Sequence, residues 1–306
     1  MSAAAGMYVV LNGELVPAAE ATVPADDRGF LYGDSVFTTL RCYGGVAFRL
    51  DRHCARLNAS LRSPVVEINH EVNPEDLRND IARLIELNGC PDAVARLTVT
   101  RGRGVGPLPP RDAVPTTLLT VRPYVPDARL YAEGASLIVS SVRRDPSGEL
   151  GRHKLGSYFP SLLARREAAA RGADEAVICD TDGDYLECAS SNLFAVVGGA
   201  LVTPDVTENL LPGIARDVVL DCAADVSVKV LPKKLTAEIA EGAFLGNVEE
   251  WFITNSVQEV VPVARIEAKQ YTVPGPVTAR LMQAYSEVVA RETGTRRKPQ
   301  QPGGIT

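Results

Sequence analysis

Nowhere does the chain carry an apolar run approaching the roughly 18 residues needed to span a bilayer, so no membrane-spanning role is expected. There is no C-x-x-C pair either: Cys42, Cys54, Cys90, Cys179, Cys188 and Cys222 are scattered, mostly among apolar neighbours. That spacing argues against a disulfide framework or a zinc site and reads as reduced core cysteines, with no metal expected. An excess of basic charge is missing as well. The net charge of −6 argues against nucleic acid or an acidic membrane as partner and leaves a small molecule as the default. Met1–Gly6 lacks the charged-then-apolar plan of a signal peptide, and the cytoplasm is the expected compartment. No internal repeat stands out. What remains is 306 residues, 45% of them hydrophobic, enough for a substantial core and two domains.

Turn chemistry divides the first half. Asn12-Gly13, between Tyr8–Leu11 and Glu14–Val16, predicts an opening hairpin. Asp26–Arg41 reads as a glycine-punctuated loop passing into a strand, and Tyr43-Gly44-Gly45 turns the chain back. Asp51 is placed to cap a helix with His53, Arg56 and Leu57 on one face. Pro74–Asn88 predicts a helix, with proline at its start, Leu77, Ile81, Leu84 and Ile85 as its apolar face and Gly89 past its end. Val94–Thr100 and Thr116–Val121 alternate as strands around a glycine and proline loop carrying Arg101, Arg103 and Arg111. The stretch Pro123–Arg129 reads as a linker. A small domain over 1–122, a linker over 123–130 and a larger domain over 131–306 are therefore expected.

The second half opens with the strand Ala135–Ser141 and is organised around Gly151–Asn192. There Lys154 precedes an amphipathic helix whose apolar positions are Leu162, Leu163 and Ala169. Glu175–Asp180 and Tyr185–Val197 read as strands joined at Asp182-Gly183, which places Glu187 on a strand. Pro212-Gly213 opens a helix near Ile214, and a helix N-terminus offers backbone N–H groups to an anion. A short helix over Leu235–Gly242, strands at Glu250–Thr254 and Val257–Val263 around an Asn255-Ser256 corner, a last helix over Val277–Arg291 and a frayed end complete the reading.

Taken one at a time, Lys154, Glu187 and Arg56 read as surface charges. Together, a lysine, a buried-looking glutamate, an arginine on a helix, a helix N-terminus and a serine turn form the inventory for pyridoxal 5′-phosphate (PLP). The amine attaches the cofactor, the acid keeps the pyridine nitrogen protonated, and arginine with backbone N–H groups holds the phosphate. The chain also carries, in order, Asp27-Arg28-Gly29, Tyr32-Gly33-Asp34, His53-x-x-Arg56-Leu57, Thr100-Arg101-Gly102 and Lys154. Gly172-Ala173-Asp174-Glu175-Ala176, Glu187-x4-Asn192-Leu193-Phe194, Thr203-Pro204 and Leu211-Pro212-Gly213-Ile214-x-Arg216 follow. These motifs resemble the fold-type IV PLP enzymes over nearly the whole chain. That family includes branched-chain and D-amino-acid aminotransferases and 4-amino-4-deoxychorismate lyases.

The resemblance implies an α+β, two-domain fold like that of D-amino-acid aminotransferase, an active site between the domains, and a homodimer. It implies Lys154 as the cofactor lysine and proton shuttle, Glu187 as the partner of the pyridine nitrogen, and Arg56 on the phosphate. The backbone of Gly213, Ile214 and Ala215 and the hydroxyl of Ser256 would assist Arg56, Leu211 would lie on the ring face, and Tyr158 would approach the phenolic oxygen. Ala215 departs from the threonine common in the family. Three features resemble the lyases: Thr38 in Phe37-Thr38-Thr39, where aminotransferases usually carry glutamate; Glu187-Cys188-Ala189 with Ala215; and the Thr254-Asn255-Ser256-Val257 turn. Thr38 then joins the catalytic candidates. Arg101, Arg103 and Asn255 are the candidates for the substrate. The expected activity is conversion of 4-amino-4-deoxychorismate to 4-aminobenzoate and pyruvate, in folate biosynthesis. The alternative is an aminotransferase for branched-chain or D-amino acids with a 2-oxo acid acceptor, and a non-catalytic PLP-binding scaffold is a minor one.

Overall fold

The structure, a computed structural model, describes residues 6–232, 234–236 and 248–295. The chain forms two compact units. Unit 1 runs to Val125 and includes His153–Tyr158 and Thr293–Thr295; unit 2 comprises Pro126–Arg152 and Phe159–Glu292.

Unit 1 contains β1 (Tyr8–Leu11), β2 (Glu14–Pro17), α1 (Arg28–Tyr32), β3 (Ser35–Tyr43), β4 (Val46–Ala47), α2 (Leu50–Arg62), α3 (Pro74–Asn88), β5 (Ala93–Thr100) and β6 (Thr117–Pro123). Its strands form an antiparallel sheet in the order β2-β1-β6-β5-β3-β4. The first hairpin turns through Asn12 and Gly13 at φ +52° and +81°, the left-handed values that an Asn-Gly pair supplies at least cost. α3 is capped by Asn73, which accepts from the N–H groups of Glu75 and Asp76, and ends at a left-handed Gly89. α2 follows Arg49 rather than being capped by Asp51, which lies in its first turn and pairs with Arg78 of α3 at 3.0 Å. The stretch expected as a loop also contains a helical turn, because buried Asp27 accepts the Gly29 N–H and caps α1. Alternation along β3 sends Val36, Leu40 and Cys42 into a core with Leu57 and Leu61 of α2 and Ile81 and Leu84 of α3.

The segment around Lys154 belongs to unit 1, although in sequence it lies beyond the linker. It extends the edge of β3: Phe37 N–H donates to the Lys154 carbonyl at 2.9 Å and Gly156 N–H donates to the Ser35 carbonyl at 2.7 Å. Two ladder bonds cover an edge otherwise open. They join residues more than a hundred positions apart, which local pattern does not reveal.

Unit 2 contains α4 (Ala128–Ala132), β7 (Ala135–Arg144), α5 (Phe159–Ala170), β8 (Glu175–Asp180), β9 (Tyr185–Cys188), β10 (Asn192–Val197), β11 (Ala200–Thr203), α6 (Ile214–Asp225), β12 (Val230–Pro232), β13 (Glu250–Asn255), β14 (Glu259–Ile266), β15 (Lys269–Gln270) and α7 (Pro276–Thr293). The strand order is β12-β11-β10-β13-β14-β7-β8-β9, with β15 on β14. A pairing of Glu187 on β9 with Asn192 on β10 brings this order back on itself and closes a ring of six strands. Leu137, Val177, Leu193, Trp251 and Val261 belong to its core. α5 differs from expectation: it buries Ala164 and Ala168 beside Ile138, Ala176 and Ile178, while Leu162 and Leu163 are 46% and 40% exposed. Small residues let the helix backbone approach the sheet, and the leucines flank that contact. Of the expected helix Leu235–Gly242, the part from residue 237 onward lies outside the described residues, as do residues 296–306 of the expected frayed end.

Together the two units carry mixed helices and sheets, as the expected α+β class requires. All six cysteines are buried and outside any disulfide. Among the described residues, no helix is long and apolar enough to cross a membrane.

Candidate active site

In unit 1 the bonds to β3 fix the backbone of Lys154, and its side chain runs to an aromatic corner. The Lys154 Nζ lies 4.7 Å from the centroid of the Phe37 ring and 6.0 Å from that of Tyr158. The two rings meet edge to face at 5.8 Å. Arg96 of β5 completes the corner, its guanidinium carbon 3.7 Å from the Phe37 centroid, and the Tyr158 phenol acts electrostatically on it. Among the described residues, no carboxylate pairs with Arg96. On α2, His53 is 1% exposed. Its imidazole is pushed well below its ordinary range, first by burial and then by the charges of Arg56 and Lys154. Two cations thus act on one buried neutral ring, and an anion brought to Arg56 and Lys154 would be attracted by both. Thr38, on the core side of β3, is buried and shares a 2.8 Å hydrogen bond with His53 Nδ1.

In unit 2, β9 carries Glu187, buried apart from a small rim. Arg144 Nη1 donates to its Oε1 at 2.5 Å. Asn192 Nδ2 and the Leu211 N–H approach Oε2 at 3.2 and 3.3 Å. Asn192 Nδ2 also donates to the Leu211 carbonyl at 3.0 Å, which ties the carboxylate to the entrance of α6. At that entrance Gly213 is the cap residue and offers no side chain to the first-turn N–H groups. A Cβ on Gly213 would lie 2.0 Å from Asn192 Oδ1, so the close approach of α6 to the glutamate's holder requires glycine there. Ile214 and Ala215 follow, both buried.

The expected substrate residues are engaged elsewhere. Arg101 pairs with Asp34 at 2.8 Å and donates to the carbonyls of Glu67 and Val66 at 2.7 and 2.5 Å. Asp34 is held below the usual carboxylate range, because the bonds from Arg101 and Arg28 outweigh the opposing effect of burial. Arg103 pairs with Asp26 at 2.9 Å and is otherwise exposed. Asn255 organises its own turn: its Oδ1 accepts from the N–H groups of Val257 and Gln258, and its Nδ2 donates to Ser191 Oγ and Gln258 Oε1. Ser256 lies within that turn. Sequence reading missed Arg96 and Arg144. The signal for Arg96 was available, since a lone arginine in the apolar alternation Ala93–Val99 calls for a reason to be there. Nothing local marked Arg144.

Unit 1 offers a lysine amine on a fixed backbone and a second cation on α2, and unit 2 offers a buried carboxylate and a helix N-terminus kept bare by glycine; each is a donor type that PLP takes. The fold and these donors define a two-unit α+β enzyme of the fold-type IV kind. The amino-transferase class IV model matches residues 35–266, and the chain belongs to that family of PLP-dependent enzymes. It is 34% identical over 285 residues to the putative branched-chain-amino-acid aminotransferase of Methanocaldococcus jannaschii, covering 92% of this chain and 96% of that protein. It is 30% identical over 287 residues to the aminodeoxychorismate lyase of Bacillus subtilis, covering 92% and 94%. Among solved structures, the branched-chain amino acid aminotransferase of Escherichia coli superimposes with a TM-score of 0.86 at 29% identity, covering 94% of this chain and 96% of that one.

Proposed function

We propose that this protein is an aminotransferase that moves the amino group of a branched-chain amino acid to a 2-oxo acid. The observation that carries the reading is the full-length likeness to branched-chain aminotransferases; it reverses the order expected from the sequence, which put the lyase first. PLP, when bound, supplies an aldehyde that condenses with amines and a ring that withdraws electrons from the substrate carbon. Lys154 would hold the cofactor through its amine and, freed by the incoming substrate amine, would move the proton at the substrate carbon. Glu187 would hold the proton on the pyridine nitrogen, and Arg56, with the N–H groups of Ile214 and Ala215, would hold the phosphate. Arg96 takes the role given at first to Arg101 and Arg103, gripping the substrate carboxylate, while Phe37 and Tyr158 exclude water around Lys154. A homodimer in the cytoplasm is part of the same proposal, as the motif resemblance and the lack of a signal-peptide pattern led us to expect.

The lyase is the second reading. It is favoured by Phe37-Thr38-Thr39, by the Asn255-Ser256 turn and by the Bacillus subtilis relative. One experiment separates the two, because a transaminase stops after one turnover unless a 2-oxo acid arrives, whereas a lyase needs no second substrate. Purified holoenzyme is incubated with leucine, isoleucine or valine, with and without 2-oxoglutarate, and in parallel with 4-amino-4-deoxychorismate alone. Sustained glutamate formation that depends on 2-oxoglutarate is expected. Sustained release of 4-aminobenzoate and pyruvate, with no amino acid turned over, would make the lyase reading the right one.

A further inference from the structure

The Arg144–Glu187 ion pair is assembled by two breaks in strand register. Along β7 and β8, Val139 faces Val177, but the next pairing is Arg143 with Cys179. Four residues of β7 therefore run against two of β8, and the extra chain bulges over Ser140–Val142. The bulge is held from both sides: Glu167 of α5 accepts from Ser140 Oγ, Ser141 Oγ and the Ser141 N–H, and Arg143 donates to the Ser140 carbonyl. On the other partner of β8, Ile178 faces Glu187 while Cys179 faces Tyr185, so Leu186 is an extra residue immediately beside Glu187. Bulges re-aim side chains and gather near functional sites. Here one bulge delivers Arg144 and the other delivers Glu187, at 2.5 Å from each other.

The pair is also oriented. Arg144 Nη1 makes a second bond, to the Asn209 carbonyl at 3.1 Å. The Asn209 side chain in turn accepts from the Gly151 N–H at 2.6 Å and donates to the Asp145 carbonyl at 2.6 Å. Gly151 has no room for a Cβ, which would meet the Asn209 carbonyl oxygen at 1.9 Å. One guanidinium nitrogen is therefore tied both to the carboxylate and to a backbone carbonyl. Glu187 Oε1 takes the short, charge-assisted bond from Arg144, and Oε2 receives longer approaches from Asn192 and Leu211. The carboxylate is thereby held at both of its oxygens.

We propose that Arg144 is a positioning residue: it locks the Glu187 carboxylate in the orientation in which it would meet the pyridine nitrogen of PLP. The proposal rests on the PLP reading above and adds a residue that acts through Glu187. It assigns the two bulges of the ring a purpose, which is to hold one carboxylate in one orientation.

The test uses holoenzyme and three variants: Arg144→Met, Arg144→Lys and Glu187→Gln, with the Arg144→Met/Glu187→Gln double variant closing a cycle. The readouts are PLP affinity, the pH titration of the cofactor's visible absorption band, and kcat and KM. Arg144→Met is expected to weaken PLP retention and to move the absorption titration. It should lower kcat about 10- to 100-fold, the loss of one charge-assisted bond to the glutamate, with KM for the amino acid changed less than about threefold. Arg144→Lys should recover part of each effect. In the Glu187→Gln background the Arg144→Met change should alter affinity and spectrum little, because a positioning residue acts only through the group that it positions. An unchanged titration and PLP affinity in Arg144→Met would overturn the proposal. So would an effect of the same size in both backgrounds, which would mark Arg144 as a general support of the fold. If Arg144→Met does not yield folded protein, Arg144→Gln carries the same comparison. Failure of the wild-type protein to bind PLP would instead sink the cofactor reading, and the two failures are thus distinct.

Discussion

Acidification should destabilise this protein through His53, and the size of the effect follows from its surroundings. The imidazole is buried, bonded to Thr38, and acted on by Arg56 and Lys154. Burial first, and then the charges of Arg56 and Lys154, leave it neutral in the folded chain well below its ordinary range. In the unfolded chain it titrates near 6.5. Below that value the unfolded state binds a proton that the folded state does not, so stability falls as pH falls. Between pH 7 and pH 5 the unfolded imidazole goes from about one quarter protonated to nearly full protonation, and the linked loss reaches about 2 kcal/mol. Urea unfolding at pH 7 and pH 5, on wild type and on His53→Gln, isolates this one group, because every other titration is common to both proteins. Wild type should lose up to about 2 kcal/mol more than the variant across that interval. A difference under about 0.5 kcal/mol would refute the reasoning, since it would mean that His53 accepts a proton in the folded state as readily as in the unfolded one.

Lys154→Ala should keep the fold, because the bonds to β3 come from its backbone. It should lose the bound chromophore and all turnover; borohydride reduction followed by peptide mapping checks the attachment, and an adduct on any other lysine sinks the assignment. Arg96→Leu and Arg101→Leu should part ways. The first should raise KM for the amino acid about 10- to 100-fold with PLP retention unchanged. The second should instead cost about 1.5–3 kcal/mol of stability, because it leaves Asp34 with one arginine fewer. Steady-state kinetics and thermal melts on the same preparations decide between them, and the reverse pattern would return Arg101 to the substrate.

Much of the chain was legible because its signals are local. Asn73, Pro74 and Gly89 bound α3 through bonds reaching no further than four residues. The Asn12-Gly13 turn is set by the φ values its two residues tolerate. Pro212-Gly213 opens α6 because proline and glycine act on their own backbone. The family and its PLP chemistry were equally readable, since nine short motifs in one order are a property of the sequence itself.

Tertiary structure decided which charges meet. The chain has three arginines between Arg96 and Arg103, and nothing local distinguishes them. The register of β3 against β5 places Arg96 opposite Thr39 and beside the Phe37 ring, while Asp26 and Asp34, both before β3, claim the other two. Lys154 joins unit 1 through bonds to a strand more than a hundred residues away, and α5 buries its alanines because the sheet lies close. Arg144 finds Glu187 only because two bulges shift the register of strands separated by a helix and a hairpin. Caps and turns depend on neighbours in sequence, which the chain carries with it; ion pairs and strand edges depend on neighbours in space, which exist only once it has folded.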